Sequence, residues 1–188
     1  GNSLGGWLAL ELARRGRARS VVGVSPAGGW ARDTPQERRL RRFFTRLHRL
    51  TSLGARWDEA IARRPRLRRL AFRDVCERGD RLTPGQALAS MRGLLGCSVY
   101  WELIEAIEAA GPPTAAWLAE VKAPVLIAWA ERDRILPQRG YSENLRAIPG
   151  AQWTTLRGCG HVPMGDDPQL VAQTILDFTS AVSRGDGP

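Results

Sequence analysis

The amino-acid sequence predicts an α/β fold in which the C-terminal strands of a mostly parallel sheet are flanked by helices and interrupted by a helical insertion. Short apolar runs at residues 21–25 and 123–130 end in loops, which is typical of buried parallel strands. From about residue 31 to residue 118 the pattern is helical, and no β-branched run is long enough for a strand. We therefore assign residues 1–30 and 119–188 to the core and residues 31–118 to an inserted lid.

The chain begins with the G-x-S-x-G pentapeptide of residues 1–5, and an apolar stretch with helical spacing follows it. A serine on a tight strand-to-helix turn is lifted clear of the backbone, and such strain requires very small neighbours. We expect Gly1 and Gly5 to supply this room. The turn also directs the backbone N–H of Leu4, at the positive end of the helix, toward a developing oxyanion. The pattern predicts Ser3 as a nucleophile, although an ordinary glycine-flanked turn has the same composition.

Helix-start patterns recur in the lid. Thr34 with Glu37, and Thr83 with Gln86, have the spacing of capping boxes, each with proline at the first helical position. A further helix is predicted over residues 100–110, before a glycine and two prolines. The apolar faces of these helices are expected to pack on the core and to form the substrate pocket where they meet the cleft.

Acidic residues follow the apolar run of residues 123–130. Glu131 and Asp133 lie in the loop after the predicted strand, and residues at the carboxyl ends of parallel strands are the ones that act on ligands in open sheets. Either carboxylate is therefore a candidate partner for a catalytic histidine. A short helix is predicted over residues 141–148, before a Pro-Gly turn.

One of the two histidines, His161, lies in a glycine-rich loop after the short predicted strand at residues 153–156. Such a loop allows an imidazole to reach over the edge of the sheet, although a solvated loop histidine is the simpler interpretation. Asp166 and Asp167 are predicted to cap a closing helix that begins at Pro168. The sequence thus provides a serine, an acid and a histidine, in that order.

This order of nucleophile, acid and base resembles the α/β-hydrolase fold superfamily, over about residues 1–30 and 119–183. The loops around the acid and His161 resemble those of the lid-bearing group of esterases, lactonases, carbon–carbon bond hydrolases and cofactor-free haloperoxidases. The resemblance favours Asp133 over Glu131 and implies a Ser3–His161–Asp133 catalytic triad.

The activity implied by the resemblance is that of a serine hydrolase. It would cleave an ester, or a related acyl or carbon–carbon bond, of a small and mostly apolar substrate through an acyl-enzyme. No metal or organic cofactor is implied. Two alternatives stay open: a perhydrolase of the haloperoxidase type with the same triad, and a non-catalytic, ligand-binding member of the fold.

In this superfamily a long stretch precedes the nucleophile elbow and carries the first five strands and a second oxyanion donor. We therefore expect the chain to be a C-terminal fragment that lacks the N-terminal half of the sheet and the strand leading into Ser3. Loss of one oxyanion donor typically costs about 100- to 1,000-fold in rate. Residues 1–188 alone are expected to be inactive or nearly so.

The net charge of +9 is concentrated in the lid. Residues 32–81 hold 16 arginines and 7 acidic residues, whereas the rest of the chain holds 12 basic and 12 acidic residues. Such charge suits nucleic acid, anionic lipid or an acidic partner, but no aromatic residue is interleaved for base stacking. We interpret the arginines as a solvated helix face and expect a small-molecule substrate, no nucleic acid and no stable membrane insertion.

The three cysteines, Cys76, Cys97 and Cys159, are odd in number and widely spaced. This predicts free thiols in a reducing compartment, hence a cytoplasmic protein, and the spacing fits no zinc site. Cys159 is a rival nucleophile, but it lies only two residues from His161.

Overall fold

A three-stranded parallel sheet lies at the centre of the structure, a computed structural model that describes residues 1–185. The strands are β1 (Val21–Val24), β2 (Val125–Ala130) and β3 (Gln152–Leu156), in the order β1-β2-β3. In the register, Val22 pairs with Leu126 and Leu126 pairs with Gln152. The predicted α/β class, with parallel strands and flanking helices, is confirmed.

Helices precede and follow every strand. They are α1 (Leu4–Arg14), α2 (Pro35–Gly54), α3 (Asp58–Arg63), α4 (Pro65–Ala71), α5 (Pro84–Leu95), α6 (Tyr100–Ala110), α7 (Ala115–Ala119), α8 (Gln138–Tyr141) and α9 (Pro168–Arg184). Short 3-10 turns lie at Ala55–Trp57, Gly79–Arg81, Asn144–Ala147 and Pro163–Gly165. Helices α2 to α7 all fall between β1 and β2, as the helical pattern of residues 31–118 predicts. Among residues 1–185, no helix combines the length and apolarity needed to cross a bilayer.

The sheet is packed on both faces, because alternate residues of a strand point to opposite sides. Ile127 and Trp129 of β2 join a core with Leu10 of α1, whereas Leu126 and Ala128 join a second core with residues of α9. All residues of β1 and β2 are buried. This explains why both strands read as continuous apolar runs.

The predicted helix over residues 141–148 is not formed. Its place is taken by α8, which contains non-helical dihedral angles at Arg139 and Gly140, and by the 3-10 turn Asn144–Ala147. The side chain of Glu143 accepts hydrogen bonds from the amides of Gly140 (2.6 Å) and Ser142 (3.2 Å). These bonds, with Gly140 at φ 91°, stabilise a turn where apolar spacing alone indicated a helix.

One of the two predicted capping boxes is present. Thr83 Oγ1 accepts from the amide of Gln86 (3.2 Å), and Gln86 Oε1 accepts from the amide of Thr83 (2.8 Å). The box at Thr34 is absent: its hydroxyl accepts no bond from α2, and the Glu37 carboxylate accepts from the amide of Asp33 (2.8 Å) in place of that of Thr34. The prediction for Thr34 is therefore wrong, although α2 begins where the proline indicated.

Candidate active site

Ser3 lies at the sharp turn between the bridge residue Asn2 and α1. Its φ of 53° and ψ of −120° fall in a region that residues other than glycine rarely adopt. The turn is held from both sides: the amide of Ser3 donates to Val24 O (3.0 Å), and Ser3 O accepts from the amides of Gly6 and Ala27 (both 2.9 Å). The predicted elbow geometry is therefore present, with the serine held in a strained conformation.

The two residues before Ser3 pair with β1. Asn2 forms a parallel bridge with Val24, and the amide of Val24 donates to Gly1 O (2.8 Å). As expected, residues 1–185 contain no strand leading into Ser3, and these two residues form only an isolated bridge. The Asn2 side chain also donates to Val24 O (3.0 Å) and to the backbone carbonyl of His161 (2.9 Å). Asn2 thus connects the turn at Ser3 to the loop that carries His161.

The glycines at the turn differ in how much space they have. A Cβ at Gly1 would lie 2.2 Å from Gly5 O, and a Cβ at Gly6 would lie 2.6 Å from the Cβ of Pro26, whereas a Cβ at Gly5 would meet nothing within 4 Å. The expectation that Gly5 supplies the room is therefore wrong. Gly1 and Gly6 are the positions where a side chain does not fit.

Asp133 and His161 form a buried hydrogen-bonded pair. Asp133 Oδ2 lies 2.7 Å from His161 Nδ1, and the two side chains are 1% and 5% exposed. The other carboxylate oxygen accepts from the amides of Ile135 (2.9 Å) and Leu136 (2.7 Å). Because Nδ1 donates to the carboxylate, Nε2 is the ring nitrogen left to accept a proton.

Glu131, the rival carboxylate, is exposed and forms a hydrogen bond with a different loop. Its Oε2 accepts from the amide of Gly158 (2.8 Å), in the turn after β3. Of the two acids that follow β2, only Asp133 contacts the histidine ring. This geometry favours the choice of Asp133.

The serine hydroxyl is not hydrogen-bonded to the histidine. Within residues 1–185, Ser3 Oγ makes no hydrogen bond, although the Asn2 bond to His161 O brings the two segments together. Catalytic hydrogen bonds are often long without substrate and shorten only in the reacting complex. Leu4, the predicted oxyanion donor, is the first residue of α1, a position at which a helix leaves the amide without an intrahelical acceptor.

Asp166 is a site residue that the sequence did not reveal. It was expected to cap α9 together with Asp167, but only Asp167 does so, by accepting from the amide of Leu170 (2.9 Å). The buried Asp166 carboxylate accepts instead from the amides of Gly160 (2.7 Å), Glu77 (3.0 Å) and Arg78 (2.6 Å). No sequence signal identifies this role, because Glu77 lies 89 positions away.

Residues 75–78 of the helical insertion, which we call the strap, are bonded to the loops that carry Asp133 and His161. The amide of Val162 donates to Val75 O (2.9 Å), in addition to the two Asp166 bonds. The Glu77 carboxylate accepts from Arg132 (3.1 Å) and Arg134 (2.8 Å), the two neighbours of Asp133. The helical insertion of residues 31–118 is therefore fastened directly beside the buried Asp133–His161 pair.

The two buried thiols near this pair are held in the protonated form. Burial raises the pKa of Cys76 to about 12, and burial with the nearby carboxylates of Asp166 and Asp167 raises the pKa of Cys159 to about 11. Nucleophilic cysteines require a thiolate, so Cys159 is not suited to replace Ser3. In the described part of the chain no three His, Cys, Asp or Glu side chains group so as to hold a metal ion.

Two comparisons with known sequences match most of the chain. The model of the Alpha/beta hydrolase family matches residues 1–174. The epoxide hydrolase EphH of Mycobacterium tuberculosis is 32% identical over 180 residues, which cover 95% of this chain and 83% of that protein.

Solved structures resemble the chain in fold. A membrane phospholipase A described as a bacterial virulence factor has a TM-score of 0.68 at 22% identity, over 97% of this chain and 56% of that one. A bromoperoxidase from Bacillus anthracis has a TM-score of 0.68 at 18% identity, over 96% of this chain and 66% of that one. The chain thus spans between about half and two thirds of the length of these solved chains.

Proposed function

Because the chain belongs to the alpha/beta hydrolase family, we propose that it acts as a serine hydrolase with Ser3 as nucleophile, His161 as base and Asp133 as the acid that orients the base. The observation that carries the proposal is the buried 2.7 Å hydrogen bond between Asp133 and His161. It leaves Nε2 as the proton acceptor on the ring, and the Asn2 bond holds this loop against the strained serine turn. Together these groups supply a nucleophile and a base.

The proposed reaction is cleavage of an ester, or of a related acyl or carbon–carbon bond. His161 Nε2 takes the proton of Ser3 as Oγ attacks the carbonyl carbon, and Asp133 stabilises the imidazolium that forms. The Leu4 N–H donates to the oxyanion. The imidazolium then gives its proton to the leaving group, and an acyl-enzyme remains. Water attacks the acyl carbon, His161 accepts its proton and returns it to Ser3 Oγ, and the carboxylic acid is released.

We propose that residues 31–118 act as the lid over this site and contribute the pocket for a small, mostly apolar substrate. The bonds of the strap to Asp166, Arg132 and Arg134 support this role, because they fasten the lid beside the acid and the base. A lid that excludes water strengthens the electrostatic interactions within the site.

Epoxide hydrolysis is a second candidate, favoured by the 32% identity to an enzyme named as an epoxide hydrolase. The chemistry of Ser3 argues against a covalent route to it. A serine that opens an epoxide is left as an alkyl ether, which has no carbonyl for water to attack, whereas an acyl-serine does. In this chain an epoxide would therefore need direct attack by a water molecule that His161 activates.

The test combines covalent labelling with turnover, in the protein expressed at its natural length. We expect a fluorophosphonate probe to label Ser3 and aryl esters to be hydrolysed, and Ser3→Ala to lose the label and at least about 1,000-fold in kcat. Ser52→Ala, at an exposed position of α2, is the matched control and should behave as wild type.

The same assay separates the alternatives. An unlabelled Ser3 with no ester turnover would favour a non-catalytic ligand-binding protein. Epoxide turnover that survives Ser3→Ala and is lost in His161→Ala would favour water-mediated epoxide opening. Peracid formation from peroxide and a carboxylic acid would favour the perhydrolase.

A further inference from the structure

One face of α2 combines arginines with exposed apolar side chains. Residues 38–57 contain seven arginines and no acidic residue. Six of these residues are spaced three or four positions apart, except for one adjacent pair, which places them within about 100° on one side of a helix. We call this set the cationic face; its members are Arg42, Arg46, Arg49, Leu50, Leu53 and Trp57, the last in the 3-10 turn after α2.

The apolar members of the cationic face are unusually open to solvent. Leu50, Leu53 and Trp57 are 54%, 74% and 51% exposed. The guanidinium of Arg56 lies 3.8 Å from the centre of the Trp57 ring, so cationic and apolar groups are in direct contact. Exposed apolar groups clustered among polar ones are typical of interaction sites.

The arginines of the cationic face have no partner among residues 1–185. Arg42, Arg46 and Arg49 are exposed and make no ion pair or hydrogen bond to any residue that the structure describes. Elsewhere on α2, by contrast, Arg41 pairs with Glu108 (3.1 Å). Like charges at this spacing repel and destabilise a helix, whereas an anionic surface would attract all three.

From this combination we propose that the cationic face binds peripherally to an anionic lipid surface. The arginines meet the headgroup phosphates, while Leu50, Leu53 and Trp57 enter the boundary between headgroups and acyl chains, as in other amphipathic helices that lie in the interface. Nucleic acid fits less well, because one side of the Trp57 ring is already covered by the Arg56 guanidinium and the two leucines offer neither charge nor a stacking surface. The proposal does not depend on the catalytic one, since Ser3, Asp133 and His161 lie outside this face.

The test measures sedimentation of the chain with lipid vesicles. We expect binding to vesicles of mixed phosphatidylcholine and phosphatidylglycerol, little binding to phosphatidylcholine alone, and release at high salt because exposed charges are then screened. Binding of a duplex DNA fragment is measured in parallel at the same ionic strength.

Two pairs of substitutions separate charge from apolar contact. Arg46→Gln with Arg49→Gln should weaken vesicle binding about 30-fold, at about 5-fold per arginine. Leu53→Ser with Trp57→Ser should weaken it at least about 10-fold. Because these side chains are exposed, circular dichroism should show an unchanged fold.

Matched controls change the same chemistry at other exposed positions. Arg17→Gln with Arg19→Gln removes the same charge outside the lid, and Leu176→Ser on α9 removes an apolar side chain that is 58% exposed. Both should bind vesicles like the unchanged chain. The proposal is overturned by absence of binding to the anionic vesicles, by equal loss in the controls, by full binding of the Leu53/Trp57 variant, or by tighter binding to DNA.

Discussion

Asp133 Oδ2 lies 2.7 Å from His161 Nδ1, while Oδ1 of the same carboxylate is held by the amides of Ile135 and Leu136. The carboxylate therefore has a fixed orientation before any substrate binds. A carboxylate that is oriented in advance keeps the imidazole in one tautomer, with Nε2 available as base.

The hydrogen bond between Asp133 and His161 predicts that substitutions of the two acids after β2 will have different effects on activity. In the proposed reaction, Asp133→Asn should lower kcat about 10,000-fold, because an amide does not hold the ring in the tautomer required. Glu131→Gln should change kcat by no more than about twofold, as expected for an exposed position. Ester hydrolysis by the two variants at one pH is the measurement, and equal effects would contradict the assignment.

Asp166 and Asp167 are adjacent but should differ in their contribution to stability. Asp166→Asn weakens charge-assisted bonds from three backbone amides in a buried place, so we expect a loss of about 3 kcal/mol in the free energy of unfolding. Asp167→Ala removes one N-cap bond and should cost about 1 kcal/mol. Urea unfolding of both variants measures the difference, and a larger loss for Asp167→Ala would refute the role assigned to Asp166.

Much of the secondary structure was predictable from local patterns. The helix predicted over residues 100–110 matches α6, and the apolar run at residues 123–130 contains β2. The meeting of the acid loop and the histidine loop also followed from a general rule, that loops after neighbouring parallel strands share one edge of the sheet. These elements could be predicted because each depends on the residue pattern within a short segment or on the order of the strands.

The features that were missed depend on contacts between distant segments. The strap is fastened by bonds across 55 to 89 positions, and no local pattern encodes them. Gly5 and Gly6 look equivalent in the sequence, yet only Gly6 faces Pro26. Thr34 has capping-box spacing, but the Glu37 carboxylate bonds to the amide of Asp33 and not to that of Thr34.

The two neighbouring glycines of α1 provide a direct test of the elbow geometry. Gly6→Ala should destabilise the fold by about 1–3 kcal/mol, because the new Cβ overlaps Pro26. Gly5→Ala meets nothing within 4 Å and should stabilise it by up to about 1 kcal/mol through higher helix propensity. Thermal or urea unfolding compares them, and similar losses for both would argue against this packing.

The two threonine caps form a second matched pair. Thr83→Ala removes a complete capping box and should cost about 1 kcal/mol of stability. Thr34→Ala removes no cap bond to α2, so we expect a smaller loss. The urea midpoints of the two variants, compared at constant m-value, measure the two losses of stability. An equal loss, or a larger loss for Thr34→Ala, would contradict this expectation.

The buried thiols predict a stability that declines in alkaline solution. Both have folded pKa values above their ordinary 9.0, so above pH 9 the unfolded chain releases protons that the folded chain retains. The two protonated thiols therefore contribute to the free energy of unfolding. Their contribution has its whole value below pH 9 and is lost as the pH rises through about 11 to 12.

The double variant Cys76→Ala, Cys159→Ala should therefore show a shallower decline between pH 9 and pH 11 than the unchanged chain. Cys97→Ala, at a partly exposed position, should keep the original slope. Both retain Tyr100 and Tyr141, whose pKa values burial also raises. Identical slopes in all three proteins would rule out the thiols as the cause.

The strap restricts how residues 31–118 can move in their proposed role as a lid. If residues 75–78 left their place, Asp166 would lose two of its three amide donors, and the two arginines beside Asp133 would lose Glu77. Any opening that admits a substrate while keeping the base in position must therefore pivot about this point, with the displacement carried by lid helices farther from it.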